Sequence, residues 1–328
     1  MTDIVKVVDL VKWFPLRKSF LYSLLGMKQE FVRAVDGVSF NIKDGEVFGL
    51  VGESGCGKTT TGRLLLRLIE PTTGDIFFEE TNISKLSKAE IRKLRRKMQI
   101  IFQDPYESIN PRRKALDIIA EPLDINKMVS SSAEREERVL RAMEAVQLCP
   151  LPELMHRLPH ELSGGQRQRV AIARSLILQP KFIVADEPVS MLDVSVRTEI
   201  LNLMLDLKEK FGLTYLFITH DIAVSKYMCD RIAVMYLGKV IETGPVEGVV
   251  GDPQHPYTKA LMEAVPVPDP SVKIGDIKIK GEVINPIYRP AGCAFQDRCL
   301  YAKPICLKEE PQLVDVPFDR KVACHLVA

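Results

Sequence analysis

Short apolar runs alternate with amphipathic stretches along the first part of the chain. Positions 38–43 alternate between apolar and polar residues, which is typical of a strand, and residues 45–52 form an apolar run that ends in glycine. Apolar runs at 182–185, 215–219 and 232–236 predict buried strands. Helices are predicted at 60–70, 91–98, 133–148, 165–178 and 194–211, with short strands at 76–78 and 99–103. This alternation predicts an α/β fold with a mostly parallel sheet.

The character of the sequence changes after Gly251. Prolines recur from there to the end of the sequence, and few stretches have helical periodicity. We therefore predict two domains, residues 1–250 and residues 251–328, and expect the second to be an appendage of irregular structure.

The composition is that of an ordinary soluble globular protein, with 46% hydrophobic residues, 27% charged residues and a net charge of +2. This balance gives no electrostatic indication of a nucleic-acid partner. No stretch reaches the roughly 20 apolar residues that a bilayer-spanning helix needs. Charges at Asp3, Lys6 and Asp9 argue against a signal peptide. We therefore expect a cytoplasmic protein that takes part in a membrane process only by docking to a separate membrane subunit.

Residues 52–59, Gly-Glu-Ser-Gly-Cys-Gly-Lys-Thr, match the phosphate-loop pattern G-x-x-x-x-G-K-[ST] between a predicted strand and a predicted helix. The glycines let the backbone curl so that N–H groups point at phosphate oxygens, and the helix N-terminus adds the positive end of its dipole. Lys58 is expected to reach the β- and γ-phosphates of ATP, and the Thr59 hydroxyl to bind Mg²⁺. The alternative, a chance glycine-rich turn, is disfavoured by the flanking elements. The candidate ATP contacts are Gly52, Ser54, Gly55, Cys56, Gly57, Lys58, Thr59 and Thr60.

The apolar run at 182–185 leads directly into two acids, Asp186 and Glu187. A phosphate loop needs a carboxylate for its metal ion and a group that handles the attacking water. We expect Asp186 to help hold Mg²⁺ and Glu187 to act as the general base. The alternative is an ordinary acidic pair on the surface.

A third motif, Leu162-Ser163-Gly164-Gly165-Gln166, resembles the signature motif of ATP-binding-cassette (ABC) ATPases. A glycine-flanked helix N-terminus with a hydroxyl suits a phosphate. In that family the motif completes the nucleotide site of the facing subunit, so the resemblance implies that Ser163, Gly164, Gly165 and Gln166 contact ATP held by a partner.

Further motifs of the same family can be matched residue by residue. Gln103 resembles the Q-loop glutamine, which the resemblance implies contacts Mg²⁺ and senses the membrane subunit. Asp193 resembles the D-loop aspartate that touches the partner ATPase, although Met191 stands where alanine is usual. His220 resembles the switch histidine that contacts the γ-phosphate.

An aromatic residue near the N-terminus is expected to stack on adenine. Phe14 is the candidate and its neighbour Trp13 the rival, and either could instead be a core residue.

Several stretches narrow the resemblance to the ATPases of oligopeptide/dipeptide importers, namely 52–60, 101–112, 252–261 and the extra segment 15–31, which is typical of the second of their two non-identical ATPases. The resemblance implies a P-loop NTPase (RecA-like) core with an antiparallel β subdomain, a helical subdomain at about 104–178 and a small irregular C-terminal appendage with four cysteines.

The same resemblance implies a set of partners: two transmembrane permease subunits, a second paralogous ATPase and, indirectly, an extracytoplasmic substrate-binding protein. It places the chain peripherally on the cytoplasmic face of the inner membrane. Relatives in this branch also import nickel or oligosaccharides, so the cargo rests on family analogy.

Four cysteines lie close to the C-terminus: Cys293, Cys299, Cys306 and Cys324. A [4Fe–4S] cluster takes four thiolates, often at irregular spacings. Structural Zn²⁺ also takes four, but usually in closely paired knuckles, and free buried thiols are the third possibility. The resemblance favours the iron–sulfur cluster, which we expect to stabilise the fold of the appendage and not to carry out a redox reaction.

Two other functions remain at this stage. Soluble ABC ATPases of DNA repair or translation usually have two cassettes, a coiled-coil insertion or basic surfaces, whereas this chain has one cassette and little net charge. A non-hydrolysing regulatory cassette is disfavoured because Lys58, Asp186, Glu187 and His220 are all present.

Overall fold

The computed structural model describes residues 2–16, 29–105, 109–264, 279–280, 287 and 289–327. Two of the segments that carry the family resemblance are described only in part. Residues 17–28 of the segment 15–31 and residues 106–108 of the segment 101–112 lie outside the described residues. The chain forms two compact units, each assembled from separate stretches. The first unit comprises Met1–Thr2, Lys43–Val47 and Leu86–Phe217, and the second comprises Asp3–Ile42, Phe48–Lys85 and Ile218–Ala328.

Strands and helices alternate through both units. The strands are β1 (Asp3–Pro15), β2 (Phe31–Lys43), β3 (Val47–Val51), β4 (Thr73–Phe78), β5 (Thr81–Asn82), β6 (Met98–Ile101), β7 (Phe182–Asp186), β8 (Thr214–Thr219), β9 (Arg231–Tyr236), β10 (Lys239–Pro245), β11 (Val314–Val316) and β12 (Arg320–Val322). The helices are α1 (Lys58–Leu65), α2 (Lys88–Leu94), α3 (Ala115–Asn126), α4 (Ser132–Ala145), α5 (Leu151–Leu154), α6 (Gly164–Leu176), α7 (Val194–Phe211), α8 (Ile222–Met228), α9 (Val246–Gly251) and α10 (Pro256–Glu263).

The first unit is built on a buried parallel pair of strands. Strand β6 runs parallel to β7, with Met98 opposite Phe182, and all five residues of β7 are buried. Helices α4 and α6 begin at serines, because Ser131 and Ser163 each accept a hydrogen bond from a backbone N–H of the first turn. The buried strand end and the capped helices place the acids and the signature motif at the ends of rigid elements.

The second unit contains a four-stranded sheet in the order β2-β1-β4-β5 and a run of strands in the order β11-β12-β10-β9-β3. In the first of these, β1 pairs antiparallel with β4 and β4 with β5. In the second, β3 pairs parallel with β9, while β10 pairs antiparallel with β9 and β12. The wholly buried strand β3 leads into the phosphate loop.

The predicted α/β alternation is confirmed, but the sheets are mixed. Strands β6 and β7 pair in parallel, as do β3 and β9. By contrast, β9 pairs antiparallel with β10, and β11 pairs antiparallel with β12. Connections of only a few residues, such as the one between β9 and β10, allow antiparallel pairing alone. The predicted boundaries at 250/251 and at about 104–178 stay predictions. Within the described part of the chain, no helix is both long and apolar enough to cross a membrane.

Candidate functional site

The phosphate loop between β3 and α1 depends on glycine for its shape. Gly52, Gly55 and Gly57 all have positive φ angles, of 152°, 80° and 110°. A Cβ on Gly52 would lie 2.3 Å from the carbonyl oxygen of Met235, and one on Gly57 would lie 2.1 Å from that of Ala34. Gly55 meets nothing within 4 Å. Two of the glycines are therefore required by close approach of the backbone, and the third by conformation alone.

Lys58 is the first residue of α1 and lies back over the loop. Its Nζ donates hydrogen bonds to the carbonyl oxygens of Gly52 at 2.7 Å and Glu53 at 3.0 Å. The residue is only 5% exposed, so its charge is held in a largely desolvated position. Thr59 and Thr60 follow in the first turn and are half-buried. A buried cation at a helix N-terminus forms an anion-binding site.

Cys56 lies within this loop but has the properties of a buried, unreactive thiol. Its Sγ is 3.9 Å from the Nζ of Lys58. Burial is the main influence on the thiol and raises its pKa, so it stays protonated at neutral pH.

The two aromatic candidates on β1 have different surroundings. The Trp13 Nε1–H donates to Asp36 at 3.0 Å, and the guanidinium of Arg33 lies 4.7 Å from the Trp13 ring centroid. Phe14 is exposed, and its ring is approached by the Lys12 ammonium at 5.0 Å. The indole is thus engaged inside the second unit, and the Phe14 ring is the more accessible one.

His220 is exposed and follows the last residue of β8. The next residue, Asp221, begins α8 by accepting a hydrogen bond from the Val224 N–H at 3.2 Å, and its own N–H donates to the Thr219 Oγ1 at 3.0 Å. The histidine therefore lies at a fixed strand-to-helix junction, in the same compact unit as the phosphate loop.

In the first unit the structure brings Gln103 and Glu187 together. The Gln103 Nε2–H donates to the Glu187 Oε2 at 3.0 Å. Glu187 follows β7 with a positive φ of 46°, a conformation that non-glycine residues seldom adopt and that clusters at functional sites. Its carbonyl accepts hydrogen bonds from the N–H and the Oγ–H of Ser190. Asp186, the last residue of β7, is buried.

The signature motif forms the capped N-terminus of α6. The Ser163 Oγ accepts from the Gln166 N–H at 3.2 Å, and the Ser163 N–H donates to the Gln166 Oε1 at 2.9 Å. A Cβ on Gly165 would lie 2.7 Å from the Val196 Cγ1. The first glycine, Gly164, is less constrained, since its Cβ would lie 3.4 Å from Leu192. The motif therefore packs against the start of the next helix, α7.

Asp193 lies at the start of α7 on an exposed edge of the first unit. Its neighbours Met191 and Val194 are 65% and 77% exposed. The unusual methionine therefore changes the surface there and leaves the buried interior unaltered.

The four C-terminal thiols lie near one another. The Cys293 N–H donates to the Cys306 carbonyl at 2.8 Å. Burial is the main cause that raises the Cys293 pKa to about 11, and the charges of Cys306, Cys324 and Cys299 raise it further. Burial likewise raises the pKa of Cys299 and Cys324. A metal ion or cluster is bound by thiolates, so binding at these thiols would release their protons.

The predicted metal site at these cysteines is not confirmed. Among the described residues, no group of three or more histidine, cysteine, aspartate or glutamate side chains could hold a metal ion. The fold places the four thiols near one another but does not give them the angles and distances that a cluster demands. For Mg²⁺ the donor types fit, because Thr59, Asp186 and Gln103 carry the hard oxygen atoms that it prefers.

The acid inside the phosphate loop makes a set of contacts that the sequence alone does not reveal. The Glu53 N–H donates to the Tyr257 Oη at 2.9 Å, and the Glu53 carboxylate accepts two hydrogen bonds from Arg298. Tyr257 belongs to the stretch at 252–261, in which the sequence shows a family resemblance but no contact to the loop. Arg298 stands next to Cys299, and nothing in its local sequence indicates a partner 245 positions away.

Known proteins share the motifs and the C-terminal region of this chain. The ABC transporter family profile matches residues 35–190, and the profile "Oligopeptide/dipeptide transporter, C-terminal region" matches residues 241–306. The chain is 47% identical to the oligopeptide transport ATP-binding protein AppF of Bacillus subtilis over 326 residues, which cover 98% of this chain and 97% of AppF. It is 47% identical to the dipeptide transport ATP-binding protein DppF of Haemophilus influenzae over 324 residues, 98% of this chain and 96% of DppF.

A solved structure has the same fold. A dimeric ATP-binding cassette in a post-hydrolysis state bound to ADP and Pi superposes with a TM-score of 0.64 at 30% identity, covering 74% of this chain and 98% of that chain. The fold is thus that of an ABC ATPase with mixed α/β sheets.

Proposed function

Because the chain belongs to the ATP-binding subunits of ABC transporters, we propose that it hydrolyses ATP to energise the import of oligopeptides or dipeptides across the cytoplasmic membrane. The observation that carries this proposal is the phosphate loop. Its glycines take conformations that other residues avoid, and a buried lysine lies over it at a helix N-terminus. This combination is built for a polyphosphate.

The proposed roles of the residues follow from their chemistry. Backbone N–H groups of Gly52, Gly55 and Gly57, with Ser54, Cys56 and Thr60 beside them, hold phosphate oxygens. Lys58 exchanges its two carbonyl partners for the β- and γ-phosphates, and Phe14 stacks on adenine. Thr59, Asp186 and Gln103 would hold Mg²⁺, which supplies neutralisation of charge on the phosphate oxygens.

Hydrolysis is proposed to rest on Glu187 as the general base and His220 at the γ-phosphate. The hydrogen bond from Gln103 orients the Glu187 carboxylate, and the buried strand before it limits its movement. A carboxylate held in this way can accept the proton of the water that attacks the γ-phosphate. Phosphate–oxygen bond cleavage then yields ADP and inorganic phosphate.

The subunit is proposed to act as one half of an ATPase pair. Ser163, Gly164, Gly165 and Gln166 would contact ATP held by a second, paralogous ATPase, and Asp193 would touch that partner. The exposed Met191 and Val194 beside Asp193 support a contact surface there. Nucleotide that binds both halves favours their closed state, because only that state makes all the contacts.

The proposed partners are two permease subunits and, acting through them, an extracytoplasmic substrate-binding protein. The proposed location of the chain is peripheral, on the cytoplasmic face of the inner membrane. An oligosaccharide or nickel importer is the alternative cargo class. No nucleic-acid partner is proposed, since the net charge is only +2.

The transport proposal is tested in a strain that lacks this chain. Expression of the unaltered chain should restore uptake of labelled dipeptides and oligopeptides, whereas Lys58→Ala should not. Lys321→Ala, which removes an exposed lysine, is the matched control and should restore uptake. If the unaltered chain restored uptake of nickel or an oligosaccharide and not of peptides, the proposed cargo would be wrong and that substrate would take its place. Affinity purification in mild detergent should recover two permeases and a second cassette, and recovery of ribosomal or DNA-bound partners would overturn the transporter assignment.

We further propose that Cys293, Cys299, Cys306 and Cys324 bind a [4Fe–4S] cluster, with Zn²⁺ or free thiols as alternatives. The proximity of four thiols supports this, while their present arrangement does not meet metal geometry, so no step of the mechanism runs through a cluster. Protein purified without oxygen should be brown and carry about four irons per chain. Colourless protein, with zinc or with no metal, would overturn the cluster.

A further inference from the structure

The phosphate loop carries an acid at its second position, Glu53. A carboxylate inside a loop that binds a polyphosphate repels the ligand, and the repulsion is strong where water is excluded. The repulsion is reduced if a nearby group of opposite charge neutralises the acid. The structure contains that group in the C-terminal part of the second unit.

Arg298 holds the Glu53 carboxylate with both of its terminal nitrogens. Nη1 donates to Oε2 at 2.8 Å and Nη2 donates to Oε1 at 3.1 Å. The side chains are 8% and 24% exposed, so the pair is shielded from most of the solvent. A two-pronged contact of this kind fixes the direction of the carboxylate as well as its charge.

Arg298 is itself held by a cluster of aromatic rings. Its N–H donates to the Phe295 carbonyl at 3.1 Å, and its guanidinium lies 5.8 Å from the Tyr236 ring centroid. Phe295 packs edge-on against Tyr236 and Tyr257, with centroids 5.3 and 5.4 Å apart. The arginine therefore reaches the loop from a rigid support.

Tyr257 makes the second contact to the same loop residue. Its Oη accepts the Glu53 N–H at 2.9 Å, which directs that N–H to the tyrosine. Helix α10, which carries Tyr257, begins at the buried His255, whose Nδ1 accepts the Tyr257 N–H at 3.0 Å. Both the backbone and the side chain of Glu53 are thus fixed by residues from the C-terminal part of the chain.

We propose that Arg298 and Tyr257 are positioning residues of the nucleotide site. Arg298 neutralises Glu53 and keeps its carboxylate turned from the phosphates, and Tyr257 fixes the backbone of the loop at that residue. The C-terminal region is then part of the nucleotide-binding machinery. This inference rests on the proposed function, because it presupposes that the loop binds ATP.

The electrostatic part of the proposal makes a prediction that a purely structural role does not. In Arg298→Gln the unpaired carboxylate of Glu53 should weaken ATP binding about 30-fold, which is typical of truncating one partner of a desolvated charge pair. The loss should be larger for ATP than for ADP, and larger for ADP than for AMP, because it scales with ligand charge. It should shrink at high ionic strength.

The test is calorimetric titration of the full chain with ATP, ADP and AMP at low and high ionic strength. The double variant Glu53→Gln/Arg298→Gln should regain most of the lost ATP affinity, since the repelling charge is gone. The control is Arg320→Gln, which removes another buried arginine of the same region. Its side chain donates to Asp252 and to the carbonyls of Gly248 and Pro317. Its folded protein should bind ATP like the unaltered chain.

The outcomes separate the two proposals. If the unaltered chain does not bind ATP, the proposed function fails. If the unaltered chain binds ATP and Arg298→Gln binds it equally well, the positioning role of Arg298 is overturned. The same holds if Arg298→Gln loses affinity for ATP and AMP to the same extent and the added substitution Glu53→Gln does not restore ATP affinity. Tyr257→Phe should weaken ATP binding by about 5-fold through loss of one hydrogen bond, and unchanged affinity there would remove Tyr257 from the account.

Discussion

The phosphate loop and the C-terminal segment 289–327 lie in the same compact unit but are held in different ways. The shape of the loop is set mainly by its own residues, by three glycines with positive φ and by Lys58, which bonds to carbonyl oxygens five and six positions before it. Its Glu53 is held in addition by two distant residues, Tyr257 and Arg298. The C-terminal segment has two strands of three residues each and a single 3₁₀ turn. It depends on buried side chains, Phe295 and Arg298, that reach distant parts of the chain.

The difference shows which structures a sequence motif can specify. A loop whose shape is set mainly by its own residue types is recognisable from the sequence. A segment anchored by a few long-range contacts has no local pattern that reveals its partners. The same few contacts make the segment sensitive to single substitutions, which gives a way to test the comparison.

The largest effect is expected at the aromatic anchor. Phe295→Ala should lower the free energy of unfolding by about 4 kcal/mol, because a fully buried ring is replaced by a cavity. Phe318→Ala is the control in the same segment, since Phe318 is 81% exposed, and it should change stability by less than about 0.5 kcal/mol. Denaturant unfolding monitors both. Equal effects would show that the segment is not anchored at Phe295.

The next largest loss of stability is expected in the phosphate loop, where two glycine substitutions distinguish a clash with a nearby backbone atom from the strain of a positive φ alone. Gly57→Ala forces a Cβ to within 2.1 Å of the Ala34 carbonyl oxygen and should lower the free energy of unfolding by about 3 kcal/mol. Gly55 also has a positive φ, of 80°, but open space around it, so Gly55→Ala should cost about 1 kcal/mol. Thermal unfolding of the two variants gives the ranking. A reversed order would contradict the backbone geometry of the loop.

An effect that is smaller for each pH unit, but that accumulates as the pH falls, is expected at His255. Burial lowers its pKa from 6.5 to about 3, so in the folded protein it stays neutral while the unfolded chain takes up a proton. Stability is therefore complete above about pH 6.5 and falls by about 1.4 kcal/mol per pH unit as the pH drops from there towards 3. Glu242, whose N–H partners include that of His255, acts in the opposite sense because burial raises its pKa.

The variant His255→Asn isolates this effect, because asparagine can still accept at the start of α10. The difference in unfolding free energy between the unaltered chain and the variant should change with pH between about 6 and 4 by about 1.4 kcal/mol per unit. A difference that is constant with pH would show that His255 is protonated in the folded protein.

The alternation of strands and helices and the family of the chain could be predicted from the sequence, for a physical reason. The buried strands β3 and β7 are continuous apolar runs, and the motifs that follow them are short and chemically constrained. The strand β1 and the helix α3 were missed. Helix α3 contains Pro122, which reads as a helix breaker in the sequence.

The start of α2 also differs from its prediction, for a different reason. The helix was predicted at 91–98, but Ser87 and Glu90 form a capping box that begins it at Lys88, and residues from Met98 onwards belong to β6. The pair of Arg298 and Glu53 could not be predicted, because its partners are separated by most of the chain. The arrangement of the four thiols likewise depends on long-range packing that their spacing does not specify.

The central claim is that this chain hydrolyses ATP with Glu187 as the base, and one comparison tests it most directly. Glu187→Gln should bind ATP like the unaltered chain but release phosphate about 10² to 10⁴ times more slowly, the range typical of losing a general base. The control Glu199→Gln, which alters an exposed glutamate of α7, should leave turnover unchanged. Phosphate release by Glu187→Gln at a rate near that of the unaltered chain would contradict the account.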